Sequence, residues 1–171
     1  MTVAAALLAE FEQESNTTRK FLDQLPTDKL AWKPHEKSMT AGQLALHIAT
    51  LPAEIMQFAR QDVMPAPDFG RPNPQPTSTA EIVQALDKSI VVVRETLPTF
   101  DDARMHATWT MTKDGKELLS LPRVALLRSI LLNHWYHHRG QLGVYLRMVG
   151  AKVPSSYGPS GDELPDFLKG K

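Results

Sequence analysis

What most constrains this chain is where its prolines stand. Four stretches repeat apolar residues at spacings of three and four, and apart from Pro52 the prolines fall at their ends, in the connections between them or in the tail after the last. In the first stretch Ala4, Leu7, Leu8, Phe11, Thr18, Phe21, Leu22 and Leu25 share a face until Pro26 closes the run. The pattern predicts an amphipathic helix of about six turns. A second helix is expected from Thr40-Ala41-Gly42-Gln43, a capping box, through Leu44, His47, Ile48, Leu51, Ile55 and Phe58, with a kink at Pro52. Ser78-Thr79-Ala80-Glu81 is a second capping box, opening a run through Ile82, Val83, Leu86, Ile90, Val93 and Leu97 to Pro98. Val91-Val92-Val93 within it favours strand locally. The fourth run begins near Ser120 or Leu121, with Pro122 suited to a first turn, and ends at Gly150, a natural C′ glycine.

The connections differ in kind. PAPDFGRPNPQPTS, from Pro65 to Ser78, is too rich in proline for helix or central strand, and it is long enough to cross from one end of a bundle to the other. Thr108 to Thr112 alternates, Asp114-Gly115 supplies a turn, and Glu117-Leu118-Leu119 returns, so a short β-hairpin is expected before the last helix. With 171 residues, 42% of them hydrophobic, the chain suits one domain, 1–171, of the all-α bundle class.

Nineteen basic residues balance nineteen acidic ones, so no overall field draws the protein to nucleic acid or to an anionic membrane. The opening MTVAAALLAEFEQES has no positively charged region before its apolar residues, and no apolar run approaches the roughly 20 residues of a membrane span. A cytoplasmic protein is expected. The chain has no cysteine, which excludes disulfides, thiolate nucleophiles and thiolate-held zinc. Any metal must be held by His, Asp or Glu.

Histidine is where the pattern becomes chemical. On a wheel of about 100° per residue, Leu126, Leu127, Ile130, Leu131, Leu142, Tyr145, Met148 and Val149 define one apolar face, and His134 and His138 each fall roughly 20° from its centre. His137 lies some 80° away, on the flank. Imidazoles four residues apart can converge on one ion. Zincin helices use the same spacing, but no glutamate follows His134, so their general base is missing. His47, between Leu44, Ile48 and Leu51, also faces inward, and three neutral imidazoles from two helices would leave coordination positions open. An isolated inward histidine is more often a hydrogen-bonded core residue, and spacing alone does not separate the two. His35 and His106 read as solvated loop residues. Gln141 and Tyr145 share the triad's face and could orient a ligand or a bound water. Arg139 reads as an exposed or interhelical ion-pair residue, with Gly140 admitting a close neighbour, and Trp32, Trp109 and Trp135 as packing or interface residues. Asp162-Glu163, in the aperiodic tail, could reach the site mouth.

Several of these residues together resemble a known family. Trp32-Lys33-Pro34, Ser38-Met39-Thr40 running into Gln43-Leu44-Ala45-Leu46-His47-Ile48-Ala49, Asn133-His134 with His138-Arg139-Gly140-Gln141, Tyr145-Leu146-Arg147, and Tyr157-Gly158-Pro159-Ser160-Gly161-Asp162-Glu163 are similar to the DinB/YfiT-like metalloenzymes. The HxxxHRGQ string is the most specific piece. The resemblance implies an up-down-down-up four-helix bundle, often a homodimer, with a three-histidine site for a divalent metal, commonly nickel or zinc, matched here by His47, His134 and His138. It also implies a metal-dependent enzyme, in which the ion activates a low-molecular-weight thiol or water for transfer or hydrolysis on a small electrophilic substrate. The alternative is a metal-binding or ligand-binding bundle without turnover.

Overall fold

The protein is described from a computed structural model covering residues 1–68 and 70–169, so position 69 of the expected crossover and the last two residues of the expected domain lie outside the described residues. Helix α1 (Val3–Asp23), α2 (Ala41–Ala59), α3 (Thr79–Thr96) and the short α4 (Asp102–His106) precede a final rod. That rod comprises α5 (Arg123–Leu126), a π-helical segment (Leu127–Asn133) and α6 (His134–Met148), with right-handed helical dihedrals at both junctions. Helix α2 contacts both α3 and α6, and α1 likewise contacts both. The core between them is built from residues such as Phe11, Leu22, Leu44, Ile48, Leu86, Trp135 and Leu142.

The all-α expectation needs correction. A three-stranded sheet, in the order β1 (Val63–Pro65), β2 (Thr108–Lys113), β3 (Lys116–Pro122), packs at one end of the helices. The β2–β3 hairpin is the one expected, with Asp114 and Gly115 both at positive φ in its turn. Strand β1 joins β2 in parallel, using the first residue of the supposed crossover. Three residues are too few to show alternation, and Pro65 is tolerated because β1 is an edge strand. The last helix also starts later than expected. Ser120 to Pro122 complete β3, and Pro122 stands at the N-cap of α5. His106 ends α4, which Asp101 caps, and is not in a loop; its ring is nonetheless exposed.

Elsewhere local chemistry decides the boundaries as read. The Thr40 hydroxyl accepts from the Gln43 amide at 3.1 Å and the Gln43 side chain accepts from the Thr40 amide at 3.0 Å, a complete capping box. At Ser78 only half of the box forms, because the Glu81 carboxylate turns to the amide and hydroxyl of Thr77. Val91 to Val93 stay helical because burial of Val93 on the α3 core face outweighs their strand preference. Gly150, at φ +77°, ends α6 in a Schellman motif: its amide donates to Arg147 and that of Ala151 to Leu146. Gly140 admits no close neighbour, since nothing lies near its missing side chain. Gly143 does so instead, with the Phe21 ring 3.2 Å from where a methyl group would stand.

Two buried side chains close the open end of α2. The Trp109 indole donates to the Phe58 carbonyl at 3.0 Å, and Arg123, fully buried, donates to the carbonyls of Ala59 at 2.7 Å, Gln61 at 3.0 Å and Arg104 at 2.7 Å while pairing with Asp62. These are among the carbonyls that a helix end cannot satisfy itself. Arg123→Met should therefore strand several acceptors and lower stability by about 3 kcal/mol or more, and Arg123→Lys, lacking the planar fork, should recover only part of that loss. Urea unfolding of both variants is the check; a loss in Arg123→Met within about 0.5 kcal/mol, the usual range for a surface change, would contradict this role.

Candidate metal centre

His47 stands in the second turn of α2, a helix whose start is fixed by the Thr40 cap. His134 and His138 open α6 on successive turns, facing α2. Ring nitrogens of all three lie within 4.8 Å of one another. The ring centroids are 5.5 Å apart for His47 and His134, 4.8 Å for His47 and His138, and 4.5 Å for His134 and His138. All three side chains are half-buried, whereas His137 is exposed on the flank, as the wheel predicts.

Hydrogen bonds orient these rings. His138 Nδ1 lies 3.0 Å from Gln141 Oε1, an atom that only accepts, so the proton belongs on Nδ1 and Nε2 presents a lone pair. The His134 ring hydrogen-bonds the backbone of Ile130, one turn earlier. The Nε2 atoms of His134 and His138 then face each other at 2.7 Å. Two converging lone pairs repel unless a proton or a cation lies between them. Burial is the first cause disfavouring the proton, since it lowers the pKa of both rings; that of His47 is pushed down to about 4, by burial first and then by His138 and His134. The donor set therefore suits a divalent cation: three neutral imidazoles, no thiolate, and, among the described residues, no carboxylate joining the cluster.

The remaining expectations divide. Gln141 does reach a ring of the triad, that of His138, but the Tyr145 hydroxyl goes to the Met39 carbonyl at 3.4 Å and its ring meets the edge of Trp32. Asp162 and Glu163 do not reach the site. Asp162 pairs with Arg147 and accepts from the Val153 amide, while Glu163 accepts from Ser155. Arg139 is interhelical and almost fully buried, pairing with Glu14 of α1 at 2.6 Å and donating to the Tyr157 hydroxyl at 2.8 Å. Glu14 was not singled out by the sequence reading, although the gap in the α1 stripe between Phe11 and Thr18 is filled by Glu14 and Ser15, both buried.

A family model of the DinB family matches residues 1–165. The chain belongs to the DinB family. The uncharacterized protein YrdA of Bacillus subtilis is 29% identical to it over 164 residues, which is 94% of this chain and 91% of YrdA. A DinB-like protein of Bacillus cereus has a solved structure that covers 88% of this chain and 95% of its own, with a TM-score of 0.69 at 27% identity. The DinB-like protein YjoA of Bacillus subtilis covers 95% and 97%, with a TM-score of 0.66 at 21% identity, a likeness of fold alone. This DinB chain is thus mostly helical with a small sheet, and among its described residues no helix is long and apolar enough to cross a membrane.

The low pKa of His47 has a consequence for the metal-free protein. Unfolded, the ring takes up a proton near its ordinary value of about 6.5; folded, it resists until about 4. The unfolded state binds more protons in that window, so stability should fall as pH drops from about 6.5 towards about 4. Urea midpoints at about pH 7 and about pH 5 should differ in that direction, and His47→Gln should shrink the difference. An unchanged difference in the variant would assign it to another group.

Proposed function

We propose that this DinB-family protein is a divalent-metal-dependent enzyme whose ion, nickel or zinc, is held by His47, His134 and His138. The observation that carries this reading is the convergence of three neutral imidazoles from two helices within 4.8 Å. Such a set leaves coordination positions free, as catalytic sites do. When bound, the ion supplies Lewis acidity, lowering the pKa of a small thiol or of water for attack on a small electrophile. The chain's own part is to orient His138 through Gln141 and to keep the rings unprotonated by burying them. Having no cysteine, it would take any thiol from outside. We further propose one domain over 1–171, with α1, α2, α3 and the final rod as the up-down-down-up bundle, working in the cytoplasm as a homodimer. The crossover between α2 and α3 supports that order, since it is long enough to let the two helices run the same way.

Among the described residues no carboxylate joins the cluster, and this favours a second reading, metal or ligand binding without turnover, because none of them stands beside the imidazoles as a general base.

Elemental analysis of protein purified without a tag or chelator tests the site. One ion per chain is expected, lost in His47→Ala and in His134→Ala, and a parent that holds no metal and cannot be reloaded with nickel or zinc would end the proposal. Metal-loaded protein screened with low-molecular-weight thiols and electrophiles should then show turnover that His138→Ala lacks. Inactivity of the loaded parent across that screen would favour the second reading.

A further inference from the structure

Pro52 lies inside α2 and has no amide hydrogen, so the carbonyl four residues before it, that of Ile48, loses its helical donor. Ile48 is fully buried, and water cannot replace that donor. The indole Nε1–H of Trp135, also fully buried, donates to the Ile48 carbonyl at 2.8 Å across the α2–α6 interface. Its ring is clamped in turn by Phe11 of α1, stacked at 5.1 Å and 18°. The position of this bond is what matters. Ile48 directly follows His47, and Trp135 directly follows His134. A single directional bond thus ties the two helices one residue away from the ring contacts of the cluster.

We propose that Trp135 is a positioning residue for the histidine cluster, a register key that locks α6 against α2 so that His47 meets His134 and His138. Apolar packing alone is tolerant of small slides and rotations between helices, whereas a hydrogen bond to one carbonyl has one good geometry. Only at one position in α2 does a buried carbonyl lack its helical donor because of a proline. The indole therefore has a single acceptor to find, and finding it sets the register. The inference uses the metal-site reading for its affinity arm alone.

The test compares Trp135→Phe with Phe11→Leu in the full chain. Trp135→Phe removes the donor, whereas Phe11→Leu removes the stacking ring and leaves the bond, so both lose packing and only one loses the key. In metal-free protein, ring-proton NOEs between His47 and His138 report the register. They should weaken or vanish in Trp135→Phe and persist in Phe11→Leu. Nickel or zinc affinity should fall by about tenfold or more in Trp135→Phe, the effect typical of groups that orient ligands, and stay near that of the parent in Phe11→Leu. Should Trp135→Phe itself fail to fold, Pro52→Ala beside Trp135→Phe returns a helical donor to Ile48, and in this double variant the NOEs should still be lost. Parent-like NOEs in Trp135→Phe or in the double variant, or equal losses in both single variants, would overturn the proposal. A parent that binds no metal would defeat the metal-site reading, and the NOE comparison would still decide this one.

Discussion

The structure depends on satisfying the backbone of one buried helix. Helix α2 lies against both α3 and α6, and its backbone groups cannot turn to water. Its first amides are met by the Trp32 and Leu30 carbonyls and by the Thr40 cap, and its last carbonyls by Trp109 and Arg123. The acceptor freed in its middle is met by Trp135. Donors from the hairpin and the final rod thus complete a helix that cannot complete itself. That explains why the sheet, of which the sequence predicts only the β2–β3 hairpin, packs at this end: β2 carries Trp109 and β3 leads into Arg123, so both reach the carbonyls.

The final rod serves two neighbours with opposite chemistry. Towards α2 it presents uncharged imidazoles, and towards α1 it presents Arg139, paired with Glu14 and flanked by the rings of Tyr136 and Tyr157. Burying that ion pair is costly unless every lone pair and proton finds a partner. Glu14, Thr18 and Tyr157 supply those partners, and Tyr157 brings the C-terminal tail with it. The aperiodic tail is therefore held in place by a charge that the core could not otherwise hold. Keeping the charged network on one flank and the neutral rings on the other lets a single helix support both.

Much of this was legible in residues whose meaning is local. The Thr40 box, the Asp114-Gly115 turn, the Gly150 terminus and the inward faces of His47, His134 and His138 all follow from short-range rules, and the structure repeats them. What could not be read depends on contacts distant in sequence. Strand β1 carries no pattern of its own and exists because β2 offers an edge. Glu14 looks like a solvated helix residue until Arg139 is placed opposite it. Tyr145 shares the triad's face on the wheel, yet the loop before α2 brings the Met39 carbonyl to its hydroxyl first. Pro52 predicts a bend by its residue type, whereas what it provides through the tertiary structure is an acceptor, the Ile48 carbonyl, addressed to one tryptophan.

The π-helical segment adds one consequence. A π turn holds about 4.4 residues where an α turn holds 3.6, so Leu127–Asn133 accommodates extra chain immediately upstream of His134. Deleting one residue there would let the segment relax to ordinary helix, an apparent gain in local regularity. Seven residues at about 82° each wind nearly as far as six at about 100°, so the histidine pair would keep its side towards α2 and Arg139 its side towards Glu14. The irregularity thus absorbs one extra residue while leaving nearly unchanged the phase between the sheet-anchored start of the rod and its chemical end. Over evolutionary time such a segment should tolerate the loss of one residue more readily than the α-helical turns after it, where the same loss would rotate everything downstream by about 100°.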